Sequence, residues 1–383
     1  VRYECVPMRF IKHVYKIHTY AQDGRLFEGK TPVSAFLNSS YDGSFIAGLM
    51  ELRYIQSLPV ERIINYFESH GFTLKKPTAH KLMEKASSLF ENLYKCIRQT
   101  ALSDPYKAAD ETYYKILVPE KNSKGKGVRK GYLWVVVGIN TRMIYLLYDD
   151  GSRSEKVILN ELGGCKGIIQ SDGYSPYRKL ESDAYPHITR IPCLQHIKRK
   201  FIDCGEDEPD AKRIVEMINT LYQNEHKHKI GVDGWTVEQN LVHRKKYAPD
   251  ILGEIKDVLD DIEERGDLLP KSELKEAVTY LRNEWNAVVD IFNYGDTYLD
   301  NNIVERMNRY ISLSRKNSLF FGSHKGAERG AILYTIALTC RMNKVNLFEY
   351  LTDVINRTAE WQPNTPLEKY RQLLPDRWEK AND

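Results

Sequence analysis

The sequence predicts an α/β protein in which a mixed sheet follows a helical N-terminal region and is interrupted by an all-helical insert. Three observations predict this class. Apolar residues recur at helical spacing through residues 44–100, five short β-type segments fall within residues 108–192, and helical spacing returns in residues 206–292. With 383 residues, the chain is long enough for two or three domains.

The N-terminal region begins with short extended pieces in residues 1–40 and then predicts two helices. Pro59 suits the first turn of the first helix, and Gly71 suits its C-terminal cap. The second helix is predicted from Pro77 to Ile97. A helix, a short turn and a helix are typical of a DNA-binding helix-turn-helix, and also of a plain helical hairpin.

The sheet is predicted from a change of period near residue 108. Three strands with short links indicate a meander. The strand–helix–strand order that follows is typical of strands added in parallel. The predicted strands are 108–118, 131–139, 143–148, 167–171 and 188–192, and the helix between the third and fourth is 154–162.

Helical spacing dominates the remainder of the chain. Residues 206–292 contain almost no strand pattern and predict a helical insert. A helix capped by Asp300 or Asn301 is predicted over residues 300–316. An apolar helix at 327–342 precedes a tail that is helical and then irregular.

The composition excludes several classes of protein. An apolar fraction of 42% and a charged fraction of 28% are those of a soluble globular chain. We expect no transmembrane helix and no secretory signal, because no stretch approaches the required apolar length. The 6 cysteines lie apart without a CxxC pair, which favours a reducing cytoplasm over a disulfide framework. A formal charge of +4 does not by itself demand a nucleic-acid partner.

Three acidic residues stand out by their surroundings. Asp110 lies inside an otherwise apolar strand, where a carboxylate is costly unless it is paired or binds a metal. Asp172 follows an apolar strand and precedes Gly173, so its side chain can reach a crevice at the strand end. Glu305 lies on the polar face of a predicted helix. Hard divalent cations prefer oxygen ligands, and a pair of them can act on a phosphodiester.

Each acid also has an ordinary structural interpretation. Glu111 is as acidic as Asp110, and successive residues of a strand face opposite ways, so the pattern does not choose between them. The SDGY segment at 171–174 can be a turn, and acidic residues on helices are usually solvated. The prediction of a metal-binding site therefore depends on Asp110, Asp172 and Glu305 being taken together.

Eight segments of this chain, in one order, carry a resemblance to a known family. The chain resembles the transposases of the insertion sequence 66 family of bacterial mobile elements, which are DDE recombinases on an RNase H-like fold. The segments are LPVER (58–62), ADET (109–112), GYLWV (131–135), QSDGY followed by Tyr177 (170–177), CLQHIKRKF (193–201), DNNIVER (300–306), SRKNSLFFGSHKGAE (314–328) and LLPDRW (373–378).

The resemblance implies an RNase H-like core with a mixed five-stranded sheet and a catalytic, metal-binding triad of Asp110, Asp172 and Glu305. It implies Mg²⁺ as cofactor, as two ions that Mn²⁺ can replace, and an enzyme that cuts DNA strands and transfers them. The expected partners are DNA (element ends and target), a second copy of the chain or a higher oligomer, and accessory proteins of the element. The expected location is the bacterial cytoplasm, in association with the nucleoid.

The resemblance also predicts a division of the chain. An N-terminal region with the candidate helix-turn-helix comes first, two parts of the catalytic core flank the helical insertion, and a helical tail closes the chain. The predicted boundaries are 1–105, 106–205 (first core part), 206–295 (insertion), 296–345 (second core part with the glutamate helix) and 346–383 (tail).

The pair Cys193-x-x-His196 resembles a C/D-x-x-H signature of several transposase groups, in which the histidine lies beside the active site. We therefore expect a catalytic role for His196 and a packing role for Cys193. The pair could instead bind zinc, although no partner pair is evident in the sequence, or could be purely structural. The family's usual cysteine-rich zinc-binding segment is not seen at residues 17–24 (IHTYAQDG), and Leu194 replaces its usual aromatic residue.

Basic residues cluster next to these positions and predict contacts with DNA phosphates, which depend on salt rather than sequence. The family's usual arginine pair is Lys198-Arg199 here, which keeps the charge and loses bidentate geometry. The predicted DNA-binding residues are Lys198, Arg199, Lys200, Arg306, Arg309, Arg315 and Lys316.

Three alternatives to a transposase follow from the same residues. An RNase H-like nuclease would cut DNA without joining it. An inactive relative would bind DNA only. A helical scaffold protein would carry the three acids incidentally and bind no DNA.

Overall fold

The structure is a computed structural model that describes residues 1–4, 8–30, 34–36, 39–121, 125, 127–266, 268–362 and 364–380. An exposed antiparallel hairpin, β1 (Thr19–Gln22) and β2 (Arg25–Glu28), lies near the N-terminus and turns at Asp23 and Gly24. None of the helices in the described ranges is long and apolar enough to cross a membrane.

Four helices precede the large sheet: α1 (Gly43–Met50), α2 (Val60–Ser69), α3 (Lys76–Leu89) and α4 (Glu91–Ser103). Pro59, predicted in the first turn of α2, lies at its N-cap position, one residue before the helix. Gly71 follows the helix, as predicted, with a φ of +80°. The prediction of a single helix from Pro77 to Ile97 is wrong, because the helix is interrupted at Phe90 and the segment forms two helices. That residue is fully buried, so the apolar spacing continues across the break and conceals it from the pattern.

The large sheet contains β3 (Tyr106–Leu117), β4 (Val128–Gly138), β5 (Met143–Leu147), β6 (Gly167–Ser171) and β7 (Ile188–Pro192), in the order β5-β4-β3-β6-β7. The predicted meander is confirmed, since β3, β4 and β5 are antiparallel neighbours. The predicted parallel additions are also confirmed, since β6 pairs with β3 and β7 pairs with β6 in parallel.

The sheet has six strands rather than the predicted five. The sixth, β8 (Phe320–Phe321), pairs in parallel with Lys115 and Ile116 at the far end of β3. A strand of two residues is too short to show the alternation of apolar and polar residues that predicts strands. It can be recognised only from its pairing with β3. Helix α5 (Glu155–Leu162) connects β5 to β6 as predicted, and a short helix, α6 (Ser175–Arg178), follows β6.

The segment after β7 is helical, as the spacing predicts. Its members are α7 (Leu194–Ile202), α8 (Pro209–His226), α9 (Val237–Arg265) and α10 (Glu273–Ile291). They bury a core of their own, which reaches the sheet through Tyr106, Ile168 and Ile191. The insert is therefore packed onto the β6–β7 side of the sheet.

The chain returns to the sheet through α11 (Asn302–Ser318), α12 (His324–Met342), α13 (Leu347–Thr358) and α14 (Leu367–Arg371). Helix α12 covers β5 at the sheet edge. Its buried Thr335 hydroxyl accepts a hydrogen bond from Leu146 N (2.9 Å), and the Thr339 hydroxyl donates to Ile144 O (2.9 Å). These bonds satisfy backbone groups that an edge strand would otherwise leave unpaired.

Candidate active site

Asp110 and Asp172 lie side by side at the carboxyl end of β6. The parallel pairing of β3 with β6 places Ala108 opposite Gln170, and both aspartates lie two residues beyond that pair. Partners in parallel register point to the same face of the sheet, and β6 ends one residue before Asp172. The strand end thus presents two carboxylates together.

Asp110 is half-buried among other acids and polar groups. Its Oδ1 accepts a hydrogen bond from Glu111 N (2.8 Å), and its Oδ2 accepts one from Asn308 Nδ2 (2.7 Å). Burial, and next the neighbouring carboxylates of Glu111 and Asp172, together raise the pKa of Asp110 to about 8. Such a group takes up a proton unless a cation compensates its charge.

The neighbouring Glu111 has a different environment. Its Oε1 accepts a hydrogen bond from Arg153 Nε (3.0 Å), and its Oε2 lies 3.4 Å from the Tyr177 hydroxyl. Burial raises the pKa of Glu111, while Arg153 lowers it. Glu111 therefore has a cationic partner, whereas Asp110 forms no ion pair with any described residue. The sequence pattern alone could not make that distinction.

Glu305 lies on the face of α11 that contacts β3. Asn301, four residues before it, donates from Nδ2 to Ala109 O (2.9 Å), and Asn308, three residues after it, donates to Asp110. Residues three and four apart share one helix face, so both neighbours of Glu305 on that face are bonded to the strand beside it. Asn301 occupies the N-cap position of α11, one of the two capping positions that the sequence predicted, but its side chain makes no capping bond.

Cys193 and His196 approach the same glutamate from the start of α7. His196 Nδ1 lies 3.9 Å from Glu305 Oε1, and Cys193 Sγ accepts a hydrogen bond from Asn301 N (3.2 Å). Cys193 is buried, as a packing role requires, and burial raises the pKa of its thiol to about 11. The histidine therefore lies beside the predicted acidic residue.

Several polar atoms here are buried without a hydrogen-bond partner in the described structure. They are Glu305 Oε1, Asn308 Oδ1, Asn301 Oδ1 and His196 Nδ1. Buried acceptors without donors are uncommon and indicate a missing ligand, ion or water. Carboxylate and amide oxygens are ligands that Mg²⁺ accepts. The unpaired oxygen atoms here are of the kind that suits a divalent cation. In the described structure, however, the carboxylates of Asp110, Asp172 and Glu305 do not all lie within 4.8 Å of one another, whereas the ligand atoms of Cys193, His196 and Glu305 do.

A groove of 1090 Å³ runs along the opposite side of α11. Arg306 and Arg309, both predicted to bind DNA, line it together with Arg142, Arg341 and Lys344. Among the described residues that line it, Glu51 is the only acidic one, so the groove is strongly cationic. The sequence analysis did not identify the last three cations, since they are dispersed along the chain and form no cluster in the sequence.

The other predicted phosphate contacts are distributed differently. Arg315 donates to Tyr113 O (2.6 Å) and lies 3.9 Å from the centre of the Tyr113 ring, so it is bonded to β3 rather than free at the surface. Lys316 is exposed on α11. On α7, Arg199 and Lys200 are exposed and Lys198 is half-buried.

The loop after Asp172 is held by the helical insert. Gly173 N donates to the Tyr280 hydroxyl of α10 (2.8 Å). A Cβ atom at position 173 would lie 2.5 Å from that hydroxyl oxygen, so the glycine of the SDGY segment permits this close approach. Asp172 Oδ1 in turn accepts a hydrogen bond from Tyr174 N (3.1 Å).

Known proteins show similarity to most of this chain. Three curated relatives come from Sinorhizobium fredii (strain NBRC 101917 / NGR234), and all are described as uncharacterized proteins. The relative y4jD is 25% identical and is matched over 87% of this chain and 65% of its own length. The relative y4hP is 24% identical and is matched over 99% of this chain and 70% of its own length. The relative y4qI is 26% identical and is matched over 96% of this chain and 69% of its own length. The chain thus spans about two thirds of the length of these relatives.

A family model described as "Transposase IS66 family" matches residues 38–329, which is more than half of the chain. The matched segment contains both aspartates, Cys193, His196 and Glu305. The chain belongs to the IS66 family of transposases.

Proposed function

We propose that this chain is a DDE transposase that cuts DNA at the ends of a mobile element and joins the freed strands to a target, with Asp110, Asp172 and Glu305 as its metal-binding acids. The observation that supports the proposal is the alignment of Asp110 with Asp172 at one strand end. Glu305 lies beside them on helix α11, which is hydrogen-bonded to β3 through Asn301 and Asn308. An RNase H-like core is part of the proposal. The antiparallel meander, to which β6 is added in parallel beside β3 and β7 in parallel beside β6, supports it.

The three acids would hold Mg²⁺, as two ions that Mn²⁺ can replace. Such ions would neutralise charge that develops on the phosphate oxygens and activate the attacking group. Asn308 positions the Asp110 carboxylate, and Asn301 fixes the start of α11 against β3. His196 approaches Glu305 from α7, and its proposed role is to contact a phosphate at this centre.

The cationic groove supports DNA as the substrate. Arg306 and Arg309 alternate on α11 with Ile303, Met307 and Tyr310, which face the same groove. Phosphates in the groove would neutralise its cations and hold the duplex against the helix that carries Glu305. Because transposition joins two element ends, we propose that two or more copies of the chain assemble on DNA.

The proposal is tested with a duplex that carries the terminal repeats flanking the gene. We expect Mg²⁺-dependent cleavage and, with pre-cut ends, strand transfer into a target plasmid. Asp110→Asn, Asp172→Asn and Glu305→Gln should each abolish both reactions, whereas Glu111→Gln should retain measurable cleavage.

Other outcomes would contradict parts of the proposal. Cleavage without joining would identify a nuclease instead. DNA binding that is unchanged by Asp110→Asn, with no cleavage by the unsubstituted protein, would identify an inactive DNA-binding relative. A chain that neither binds nor cuts DNA would exclude all of these functions.

A further inference from the structure

A second group of metal-ligating side chains shares Glu305 with the proposed catalytic centre. Cys193, His196 and Glu305 each offer one ligand atom, and these atoms lie within 4.8 Å of one another. Cys193 precedes α7, His196 lies in its first turn, and Glu305 lies in the first turn of α11. The sequence supplied only the Cys-x-x-His pair, and the fold adds the third ligand.

Two of these three ligand atoms have no other partner. His196 Nδ1 and Glu305 Oε1 are both buried and form no hydrogen bond with any described residue. Their separation of 3.9 Å is too long for a hydrogen bond between them. In a tetrahedral zinc site with bonds of about 2.1 Å, two such ligand atoms lie roughly 3.4 Å apart. A small closure would therefore bring both onto one ion.

The donor set determines which ion would bind. One sulfur, one imidazole nitrogen and one carboxylate oxygen suit Zn²⁺ and related thiophilic ions, whereas Mg²⁺ prefers oxygen ligands. The Asp110–Asp172 pair offers only carboxylate oxygens. The two sites therefore differ in chemistry, although Glu305 belongs to both.

The framework holds these ligands in place before any ion arrives. Leu194 N donates to Leu299 O (2.9 Å), and Asn301 N donates to Cys193 Sγ (3.2 Å). These bonds tie the start of α7 to the segment that leads into α11. Little ordering is then needed on binding, which favours affinity.

We propose that Cys193, His196 and Glu305 form a zinc site with one open coordination position, and that Zn²⁺ bound there withdraws Glu305 from the magnesium centre. Zinc would thus be a reversible inhibitor of the reaction. The inhibitory part of this inference rests on the proposed function, whereas the binding part does not.

Binding is tested on the full chain with Co²⁺ as a spectroscopic substitute for Zn²⁺. We expect a thiolate-to-cobalt absorption band that Zn²⁺ abolishes by displacement. Cys193→Ser, which keeps a hydrogen-bond acceptor for Asn301 N, should remove the band. It should also weaken Zn²⁺ binding by at least about 100-fold, since even groups that only support ligands contribute roughly 10–100-fold.

Cys204→Ser is the matched control, because Cys204 is the more accessible thiol near α7 and is not part of the cluster. It should leave the band unchanged. His196→Gln provides a second ligand variant if Cys193→Ser folds poorly. Absence of the band in the unsubstituted protein, or its persistence in both Cys193→Ser and His196→Gln, would overturn the site.

Inhibition is tested by titrating Zn²⁺ into the Mg²⁺-dependent cleavage reaction. The unsubstituted protein should lose activity, and Cys193→Ser should keep its basal activity and resist Zn²⁺. Equal inhibition of both proteins would overturn the inhibitory role. If no protein cleaves DNA with Mg²⁺ alone, the proposed function fails, while the cobalt spectrum still decides whether the metal site exists.

Discussion

Arg190 of β7 and Glu284 of α10 form an ion pair in which neither side chain is exposed to solvent. Arg190 also pairs with Glu181, and its Nη1 lies 3.3 Å from the backbone oxygen of Asp172. The pair therefore links the helical insert to the backbone of Asp172, one of the two acids at the strand end. The sequence gives no sign of this link, because its two members come from separate elements with different periods.

Glu284→Ala should destabilise the fold by about 3–5 kcal/mol, because it leaves the Arg190 guanidinium buried without its main partner. Urea denaturation followed by circular dichroism measures the effect. Glu263→Ala is the control, since Glu263 pairs with Arg282 at the surface and such pairs contribute about 0–1 kcal/mol. Similar losses in the two variants would show that burial of the pair does not matter.

Asp110 should make the metal-free protein less stable as the pH rises. Its pKa is raised from 3.8 to about 8 on folding, so between these values only the folded state holds the proton. This contribution to stability is fully present below pH 3.8 and is lost as the pH rises through about 8. Unfolding experiments in a chelator between pH 5 and 8 measure it. Asp110→Asn should make the free energy of unfolding depend less on pH, whereas Asp183→Asn, at an exposed position, should leave this dependence unchanged.

Asn308 should act as a positioning residue for Asp110. Asn308→Ala removes the donor to Asp110 Oδ2, and a hydrogen bond to a charged group contributes about 1.5–3 kcal/mol, which corresponds to roughly tenfold or more in rate. Single-turnover cleavage should slow accordingly, with DNA affinity unchanged. Ser312→Ala, one turn further along α11, serves as the control, because Ser312 bonds only to its own helix. Equal rates in all three proteins would exclude the role.

Gly173 should tolerate no side chain while Tyr280 is present. A Cβ atom there would lie within 2.5–2.7 Å of the Tyr280 phenol, so Gly173→Ala should cost about 1–3 kcal/mol of stability and displace Asp172. Thermal unfolding and cleavage assays measure both effects. Gly164→Ala, where a Cβ atom would meet nothing within 4 Å, should be nearly neutral. Failure of Tyr280→Ala to recover stability in Gly173→Ala would show that another contact is responsible.

The groove along α11 should carry phosphate contacts. Arg306→Gln, Arg341→Gln and Lys344→Gln should each weaken DNA binding and reduce the slope of log affinity against log salt by about 1. Fluorescence anisotropy at several salt concentrations measures this slope. Lys212→Gln, at an exposed position of the helical insert, is the control. An equal effect of the control would indicate that only net charge matters.

The strands could be predicted most accurately where they are short apolar runs. The predicted segments 167–171 and 188–192 coincide with β6 and β7. These strands are largely buried, and their isoleucines, Ile168, Ile169, Ile188 and Ile191, give each of them a short apolar pattern. The two residues of β8 and the break at Phe90 leave no such pattern, because pairing and packing from distant segments determine them.

The acidic residues were predictable as candidates, but their surroundings were not. Glu111 differs from Asp110 because Arg153, which lies beyond β5, reaches it. His196 meets Glu305 only because α7 and α11 start side by side. These relationships depend on tertiary contacts between segments that are far apart in the chain, and no local spacing encodes them.

Strand β3 is synthesised long before two of its neighbours. Its pairings with β6 and β8 require residues 168–170 and 320–321, and α11 emerges from the ribosome only after the whole helical insert. Contacts of such long sequence separation form late, since loop closure must precede them. A chain released before residue 305 has both aspartates but lacks the glutamate. Under the proposed function, unfinished translation products therefore cannot cut the chromosome of the cell that is making them.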